Sequence, residues 1–303
     1  MNYQHLIDTA TALGCGVTLQ APMSAATTFK VGGPADLLID LPSADAAAQV
    51  LCICREEGIP YLFIGNGSNL VFGDKGFRGA VLRLDSRNAQ PTLLEDGTVY
   101  APAGISLQRL CLFARDHSLT GLEFAYGIPG TVGGAVYMNA GAYDGEMAQV
   151  VLSADCVTAD GSLCTLSAAE LGMSYRHTAL MERDLIVVGA TLQLQAGDKD
   201  AIWAKMKDLM ARRHEKQPLE YPSAGSFFKR PVGYFAGKLI QDAGLKGFTV
   251  GGAQVSEKHA GFVINRGGAT AADLVELRNQ VHDKVYAAFG VHLEPEVRFV
   301  GEF

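Results

Sequence analysis

The sequence predicts an α+β protein in which two α+β parts are followed by a smaller C-terminal domain. Three observations support this prediction. A chain of 303 residues is longer than a single hydrophobic core usually supports. Helix and strand patterns alternate up to about residue 198, and a charged helical segment at 200–218 then marks a change in composition. We therefore expect subdomains at 1–80 and 81–198 and a C-terminal domain at 199–303.

The first part alternates helices with short strands. Residues 43–58 predict a helix that Ser43 caps and Gly58 ends, and 59–64 predict a buried strand that leads into a glycine-rich loop. Further along, the patterns predict two strands and a helix, at 79–84, 97–104 and 105–117.

The later elements carry clearer boundary signals. They are a hairpin over 150–166 that turns at Asp160-Gly161, a half-buried strand over 185–195, a helix over 200–218 that Pro218 ends, a helix that begins at a Thr270…Asp273 capping box and ends at Gly290, and a last strand over 292–301.

Composition excludes several classes of function. The formal net charge of −7 argues against a nucleic-acid or anionic-membrane surface. No apolar run approaches the roughly 20 residues of a membrane span, and the N-terminus lacks a basic start before an apolar core. We therefore expect a cytoplasmic protein, and we expect it to be a monomer. We expect reduced cysteines and no metal, because the six cysteines and seven histidines show no metal-ligand spacing.

The most informative segment is 121–147, GLEFAYGIPGTVGGAVYMNAGAYDGEM. It holds seven glycines and neither lysine nor arginine. Such backbone can approach a large, flat or phosphorylated ligand closely, and its N–H groups can face an anion. The alternative is a tightly packed turn region.

A second loop without basic residues, GNGSN at 65–69, follows the predicted strand 59–64. A Rossmann site is improbable here because the third glycine and the following helix are missing. The loop can still serve phosphates, and we expect it to lie beside segment 121–147. The alternative is a tight strand-to-strand turn.

Three side chains are unremarkable when each is taken alone. Ser226 lies in SAGSFFKRP without the GxSxG pattern of a hydrolase, while Arg176 and Glu296 lie in MSYRHT and LEPEVRF.

Taken together, the motifs resemble the UDP-N-acetylenolpyruvoylglucosamine reductase family over nearly the whole chain. Eight motifs occur in the family's order, namely TTFKVGGPAD (27–36), GNGSNLVF (65–72), the segment 121–147, SYRHT (174–178), YPSAGSFFKRP (221–231), LIQDAGLKG (239–247), SEKHAGFVIN (256–265) and EPEV (294–297). The chain resembles the shorter variety of the family, which lacks an extra tyrosine-bearing substrate loop.

The resemblance implies a vanillyl-alcohol-oxidase/PCMH-type FAD-binding fold in two subdomains, with a C-terminal α+β substrate-binding domain. It implies that NADPH reduces FAD and that the reduced flavin reduces UDP-N-acetylglucosamine enolpyruvate to UDP-N-acetylmuramate. That reaction belongs to peptidoglycan synthesis, and so to cell-wall biogenesis, cell shape and cell division.

The resemblance also implies site residues. The catalytic residues are Ser226, which protonates the enolate, and Arg176 and Glu296, which stabilise it; Tyr175 and Lys229 bind substrate. The expected FAD contacts are Gly65, Asn66, Gly67, Ser68, Asn69, Gly127, Pro129, Gly130, Thr131, Gly133, Gly134, Asn139, Ala140 and Gly141. We expect non-covalent FAD, because histidine is absent from residues 6–116.

The implied chemistry suits these residue types. A planar guanidinium can hold a carboxylate onto which charge spreads, and positioned proton transfer is typically worth about 10²–10⁴ in rate. Two alternatives stay open. One is an FAD-dependent oxidase on the same scaffold that uses oxygen, and the other is a nucleotide-sugar-binding regulator without turnover.

Overall fold

The computed structural model describes residues 2–303, which form eight α-helices, nineteen β-strands and four short 3-10 helices. The α-helices are α1 (Gln4–Ala12), α2 (Ala44–Glu56), α3 (Leu107–Asp116), α4 (Val132–Tyr137), α5 (Ala168–Leu171), α6 (Lys199–Lys216), α7 (Ala236–Asp242) and α8 (Ala271–Phe289). The 3-10 helices are Met23–Ala25, Glu123–Ala125, Met147–Gln149 and Ala179–Met181.

The strands are mostly short. They are β1 (Gly16–Pro22), β2 (Pro34–Leu41), β3 (Tyr61–Ile64), β4 (Leu70–Phe72), β5 (Phe77–Leu84), β6 (Thr92–Leu93), β7 (Val99–Pro102), β8 (Leu119–Thr120), β9 (Gly141–Ala142), β10 (Gly145–Glu146), β11 (Val151–Thr158), β12 (Leu163–Ser167), β13 (Leu185–Leu192), β14 (Gln195–Ala196), β15 (Ser223–Ser226), β16 (Thr249–Val250), β17 (Ala253–Val255), β18 (Phe262–Asn265) and β19 (Arg298–Val300).

The chain forms two compact units that alternate along the sequence. The first unit comprises the chain up to Leu19, Leu37–Asn66 and Gly79–Ala211, and the second comprises Gln20–Asp36, Gly67–Arg78 and Arg212–Phe303. The sequence did not indicate that two short N-terminal segments belong with the C-terminal part. The division into subdomains 1–80 and 81–198 and a C-terminal domain 199–303 stays a prediction.

The first unit contains two large sheets, two small two-stranded sheets (β10-β9 and β14-β8) and two hydrophobic cores. The strand order is β1-β2-β5-β3 in one large sheet and β12-β11-β13-β7-β6 in the other. Strand β13 serves both cores, since Ile186 and Val188 lie in one and Val187, Ala190 and Leu192 in the other. The predicted half-buried alternation over 185–195 is therefore wrong, because β13 is a central strand that is covered on both faces.

The second unit packs α7 and α8 with the sheet β15-β18-β17-β16 around one core. Helix α8 confirms its prediction, because Thr270 and Asp273 form the capping box and Gly290 ends the helix with φ +68°. The last strand is shorter than the predicted 292–301. Strand β19 covers only Arg298–Val300, since Pro295 has no N–H and the next N–H donates to another segment of the unit.

Other predicted elements are confirmed near their expected bounds. Helix α2 begins after Ser43, whose side chain accepts the Ala46 N–H, and helix α3 begins after Ser106. Strands β11 and β12 form the expected hairpin, and Gly161 takes φ +82° in its turn.

Candidate active site

The start of the GNGSN loop, residues 65–66, lies beside the glycine-rich segment 121–147 in the first unit. A Cβ added to Gly65 would lie 2.3 Å from the Thr131 hydroxyl oxygen, so the backbone of one loop touches the other. The Asn66 amide donates to the Pro129 carbonyl oxygen at 3.2 Å. The predicted adjacency of GNGSN and the glycine-rich segment is confirmed.

The remainder of the GNGSN loop belongs to the second unit along the chain. Gly67 takes φ +60°, and a Cβ there would lie 2.3 Å from the Ala26 carbonyl oxygen. Ser68 is half-buried, and the Asn69 amide donates to the Glu296 carbonyl oxygen at 3.1 Å. Asn69, an expected cofactor contact, thus also holds the backbone of an expected catalytic residue.

The backbone N–H groups at the start of α4 already donate hydrogen bonds to other parts of the protein. The N–H groups of Val132 and Gly133 donate to the carbonyl oxygens of Ile105 (2.9 Å) and Ala103 (2.8 Å), and Gly134 N–H donates to the Thr131 hydroxyl (3.3 Å). The expectation that N–H groups of this segment face an anion does not apply to these three. Gly134 is exposed, so its face is open.

Several glycines of 121–147 are required by packing. A Cβ on Gly133 would lie 2.8 Å from the Ala103 Cβ, and one on Gly145 would lie 2.5 Å from the Phe124 ring. A Cβ added to Gly141 would lie 2.6 Å from the Gly145 carbonyl oxygen. The packed-turn interpretation therefore holds for this part of the segment, alongside the ligand interpretation. The other expected contacts here, Gly127, Gly130 and Ala140, are half-buried.

Arg176 lies in a two-residue turn between Ser174 and His177, which exchange both backbone hydrogen bonds. It takes φ +53°, a left-handed conformation that is unusual outside glycine. Its guanidinium donates to the Gly141 carbonyl oxygen at 3.1 Å and lies 5.3 Å from the ring centre of Tyr175, which is 51% exposed. The turn presents an arginine and an aromatic ring from one place.

Ser226 lies at a bulge in the second unit. Ser223 pairs with Ile264 and Ser226 pairs with Phe262, so three steps along β15 match two along β18. Gly225 takes φ +76° within that bulge, and a Cβ there would meet no atom within 4 Å. The bulge re-aims the chain immediately before Ser226.

Phe227 ties Ser226 to the core and to Glu296. Its ring is 1% exposed, and its N–H donates to the Gly261 carbonyl oxygen at 2.9 Å. Its own carbonyl oxygen accepts the Glu296 N–H at 2.9 Å. The structure thus places Ser226 and Glu296 on adjoining segments of one unit. The role of Phe227 was missed in the sequence, although two phenylalanines directly after Ser226 were a visible signal.

Lys229 forms an ion pair that the sequence did not indicate. Its ammonium lies 2.6 Å from a Glu294 carboxylate oxygen, and its N–H donates to the Glu294 carbonyl oxygen at 2.8 Å. The Glu294 side chain is 71% exposed, so the pair contributes little stability. The Lys229 ammonium can therefore leave Glu294 and bind the anion of a ligand instead.

Other chemistries find little support. Burial raises the pKa of the Cys54 and Cys156 thiols to about 12, which disfavours a nucleophilic thiolate at neutral pH. Across residues 2–303 no His, Cys, Asp or Glu cluster could hold a metal ion. Over the same residues, each helix is too short or too polar to cross a bilayer.

Comparison with known proteins covers both units. The family described as UDP-N-acetylenolpyruvoylglucosamine reductase, C-terminal domain, matches residues 217–300, and the FAD binding domain family matches residues 35–167. The UDP-N-acetylenolpyruvoylglucosamine reductase of Clostridium perfringens (strain SM101 / Type A) is 48% identical over 285 residues, which cover 94% of this chain and 93% of that protein. The protein of the same name from Clostridium novyi (strain NT) is 51% identical over 276 residues, with coverages of 91% and 89%.

A solved structure also matches. The crystal structure of UDP-N-acetylenolpyruvylglucosamine reductase from Thermus caldophilus superposes with a TM-score of 0.80 and 35% identity, over 94% of this chain and 98% of that one. Together these matches confirm the predicted fold class in its main features, an FAD-binding domain followed by the family's C-terminal domain.

Proposed function

The chain belongs to the UDP-N-acetylenolpyruvoylglucosamine reductase family, and on that premise we propose that it reduces UDP-N-acetylglucosamine enolpyruvate to UDP-N-acetylmuramate with electrons from NADPH. Family membership makes it an oxidoreductase of cell-wall synthesis with an FAD-binding domain. The observation that carries the finer proposal is the Phe227 link, which sets a hydroxyl and a carboxylate, Ser226 and Glu296, on adjoining segments. That it works as a monomer in the cytoplasm is part of the proposal.

The residues of the two adjoining loops fit FAD. Neither loop carries a basic side chain, yet their backbones touch at Gly65 and Thr131, and Gly134 leaves an open face where a side chain would project. Backbone that a ligand can approach this closely suits a dinucleotide that is held without a cationic clamp. The chemistry that bound FAD supplies is hydride transfer, from NADPH to the methylene carbon of the enolpyruvyl ether.

Arg176 is proposed to hold the carboxylate of the enolpyruvyl group. Hydride addition places negative charge that spreads onto that carboxylate, and a guanidinium that is already fixed by a backbone carbonyl costs little further ordering. Tyr175, on the same turn, is proposed to contact the substrate with its exposed ring. Lys229 is proposed to contact a substrate phosphate once that anion displaces Glu294.

Ser226 is proposed to move the proton from its Oγ to the carbon next to the carboxylate. A hydroxyl is a weak acid in water, so the transfer needs a strong carbon base and a fixed position. The bulge at Gly225 and the buried ring of Phe227 supply that position. Glu296 is proposed to stabilise the enolate, and its backbone is held from both sides by Phe227 and Asn69.

The direct test mixes flavin-loaded protein with NADPH and UDP-N-acetylglucosamine enolpyruvate, without oxygen, and follows NADPH loss. We expect one NADPH to be consumed per enolpyruvyl group. If NADPH is lost only when the mixture is repeated in air, and at the same rate without the enolpyruvyl sugar, the protein is instead an oxidase. Tight binding of the sugar without any NADPH loss would identify a non-enzymatic binding protein.

The mode of FAD attachment has its own test. We expect the protein to purify yellow and to release its flavin into the supernatant on acid denaturation. Flavin that stays with the precipitated chain would contradict non-covalent binding.

A further inference from the structure

Asn139 contacts the Arg176 turn in two ways. Its side-chain amide nitrogen donates to the Ser174 carbonyl oxygen at 2.9 Å, which fixes the backbone where the turn begins. Its own carbonyl oxygen accepts from the Arg176 guanidinium at 3.5 Å. One residue therefore holds the base of the turn and also contacts the charged end of the side chain that the turn carries.

The amide of Asn139 is directed into the protein. The residue is 0% exposed, and its side-chain oxygen accepts the Ala148 N–H at 2.9 Å. Both ends of the amide therefore have protein partners, so its chemistry serves the internal structure.

Asn139 and Arg176 both have a positive φ angle, +42° and +53°. Asparagine enters this left-handed region more readily than other side chains do, so the strain is greater at Arg176. Such conformations persist when surrounding contacts determine them, and they occur at functional sites. A second tether lies on the far side of the turn, where the fully buried Thr178 hydroxyl donates to the Tyr137 carbonyl oxygen at 2.8 Å.

We propose that Asn139 is a positioning residue for Arg176: its amide locks the Ser174–His177 turn so that the guanidinium is held ready for the substrate carboxylate. This inference rests on the proposed function for the role of Arg176. The sequence grouped Asn139 with the cofactor contacts, and the structure assigns its side chain to the turn.

The test is a double-mutant cycle on flavin-loaded protein with Asn139→Gly, Arg176→Ala and the double variant. Glycine tolerates the positive φ of position 139 and removes only the amide. Stopped-flow measurements separate flavin reduction by NADPH from reoxidation by the enolpyruvyl substrate. We expect Asn139→Gly to slow reoxidation by roughly 10- to 100-fold and to leave reduction within about twofold, because a small misplacement of a positioning group is costly.

The rate of the double variant shows whether Asn139 acts through Arg176. If Asn139 acts through Arg176, the double variant reoxidises as slowly as Arg176→Ala, within about threefold. If the two slowing factors multiply, Asn139 has a separate structural role and the inference is wrong. An Arg176→Ala variant that reoxidises at the normal rate would contradict the proposed function of Arg176 instead, so the two failures can be told apart.

Two further measurements guard against a folding artefact. Asn139→Asp keeps the shape and the acceptor for Ala148 but loses the donor to Ser174, and we expect the same selective slowing, by roughly tenfold or more. Thr98→Val is the matched control, since it removes a buried hydroxyl that bonds Asp96 at 2.7 Å elsewhere in the first unit. It should leave both half-reactions within about twofold.

Hydrogen exchange supplies a readout that is independent of turnover. In the oxidised protein without substrate, amides of residues 172–178 should exchange faster in Asn139→Gly than in the wild type, and at the wild-type rate in Thr98→Val. Unchanged exchange over 172–178 in Asn139→Gly would show that the amide does not hold the turn and would overturn the inference.

Discussion

The Arg176 turn and the Ser226 bulge present their functional side chains by different physical means. At the turn, the functional residue itself takes the left-handed conformation, with φ +53°, and hydrogen bonds surround it. At the bulge, the preceding Gly225 takes φ +76° and the following Phe227 anchors the segment in an apolar core. The first arrangement relies on directed polar contacts, and the second relies on packing.

The difference predicts how each site fails. Hydrogen bonds are directional and individually modest in net free energy, so losing one should misplace Arg176 while the unit stays folded. Apolar packing is large and non-directional, so losing the anchor of Ser226 should weaken the whole second unit. The variants below test this contrast in order of expected effect.

The largest effect is expected for Phe227→Ala. Its ring is 1% exposed and lies near the rings of Phe29, Phe228 and Phe299, with centroids 5.2–6.4 Å apart. We expect the free energy of unfolding to fall by about 3–5 kcal/mol in urea denaturation. Phe289→Ala is the matched control, because that ring is 41% exposed, and it should change stability by about 0.5 kcal/mol or less. Equal losses of stability in the two variants would show that the buried Phe227 ring does not anchor the Ser226 segment.

Gly225→Ala tests the bulge itself. The added methyl group meets no atom within 4 Å, so the cost should be backbone strain alone, about 1–2 kcal/mol. Gly290→Ala provides a match, since that glycine takes φ +68° with equally open space at the end of α8. Both variants should lose similar stability, whereas only Gly225→Ala should slow flavin reoxidation by the enolpyruvyl substrate. A rate loss of the same size in Gly290→Ala would contradict a positional role for the bulge.

Arg176→Gly and Arg176→Ala test whether the left-handed conformation of the Arg176 turn is strained. Both remove the guanidinium and should abolish rapid turnover, but only glycine relieves the strain at φ +53°. We expect the glycine variant to be more stable than the alanine variant by about 1 kcal/mol in denaturant titration. If alanine proved the more stable, the left-handed conformation would not store strain.

The smallest effect concerns acid stability of the second unit. Hydrogen bonds from the Thr270 and Gly252 N–H groups lower the pKa of the Asp273 carboxyl below its usual 3.8. Because the folded-state pKa is depressed, the contribution is present above the unfolded-state pKa and is lost as pH falls through the folded-state value. Asp273→Asn should reduce the loss of melting temperature between pH 5 and pH 2, by an amount equivalent to about 0.3–1 kcal/mol. Parallel profiles for variant and wild type would assign the acid sensitivity elsewhere.

The sequence predicted the helices well because their boundary signals are local. Ser43, the Thr270…Asp273 box and Gly290 each act within one helical turn, and all three do so in the structure. The burial of β13 was predicted wrongly, because a second covering layer comes from residues far away in the chain.

The sequence predicted which residues form the candidate site, but it did not predict the hydrogen bonds that hold them in place. Family motifs supplied Arg176, Ser226 and Glu296 by position, and the GNGSN loop was expected to lie beside segment 121–147. The left-handed φ of Arg176 and the inward amide of Asn139 could not be read from the sequence, because each follows from hydrogen bonds between distant segments. The Lys229–Glu294 pair was missed for the same reason.

A stopped-flow comparison of wild type and Ser226→Ala tests the proposed role of Ser226. NADPH oxidation and proton delivery are proposed to be separate steps, of which only the second needs the Ser226 hydroxyl. Flavin reduction by NADPH should therefore keep its wild-type rate, and reoxidation by the enolpyruvyl substrate should slow by about 10²-fold or more. Equal slowing of both half-reactions, or unimpaired reoxidation, would contradict that role.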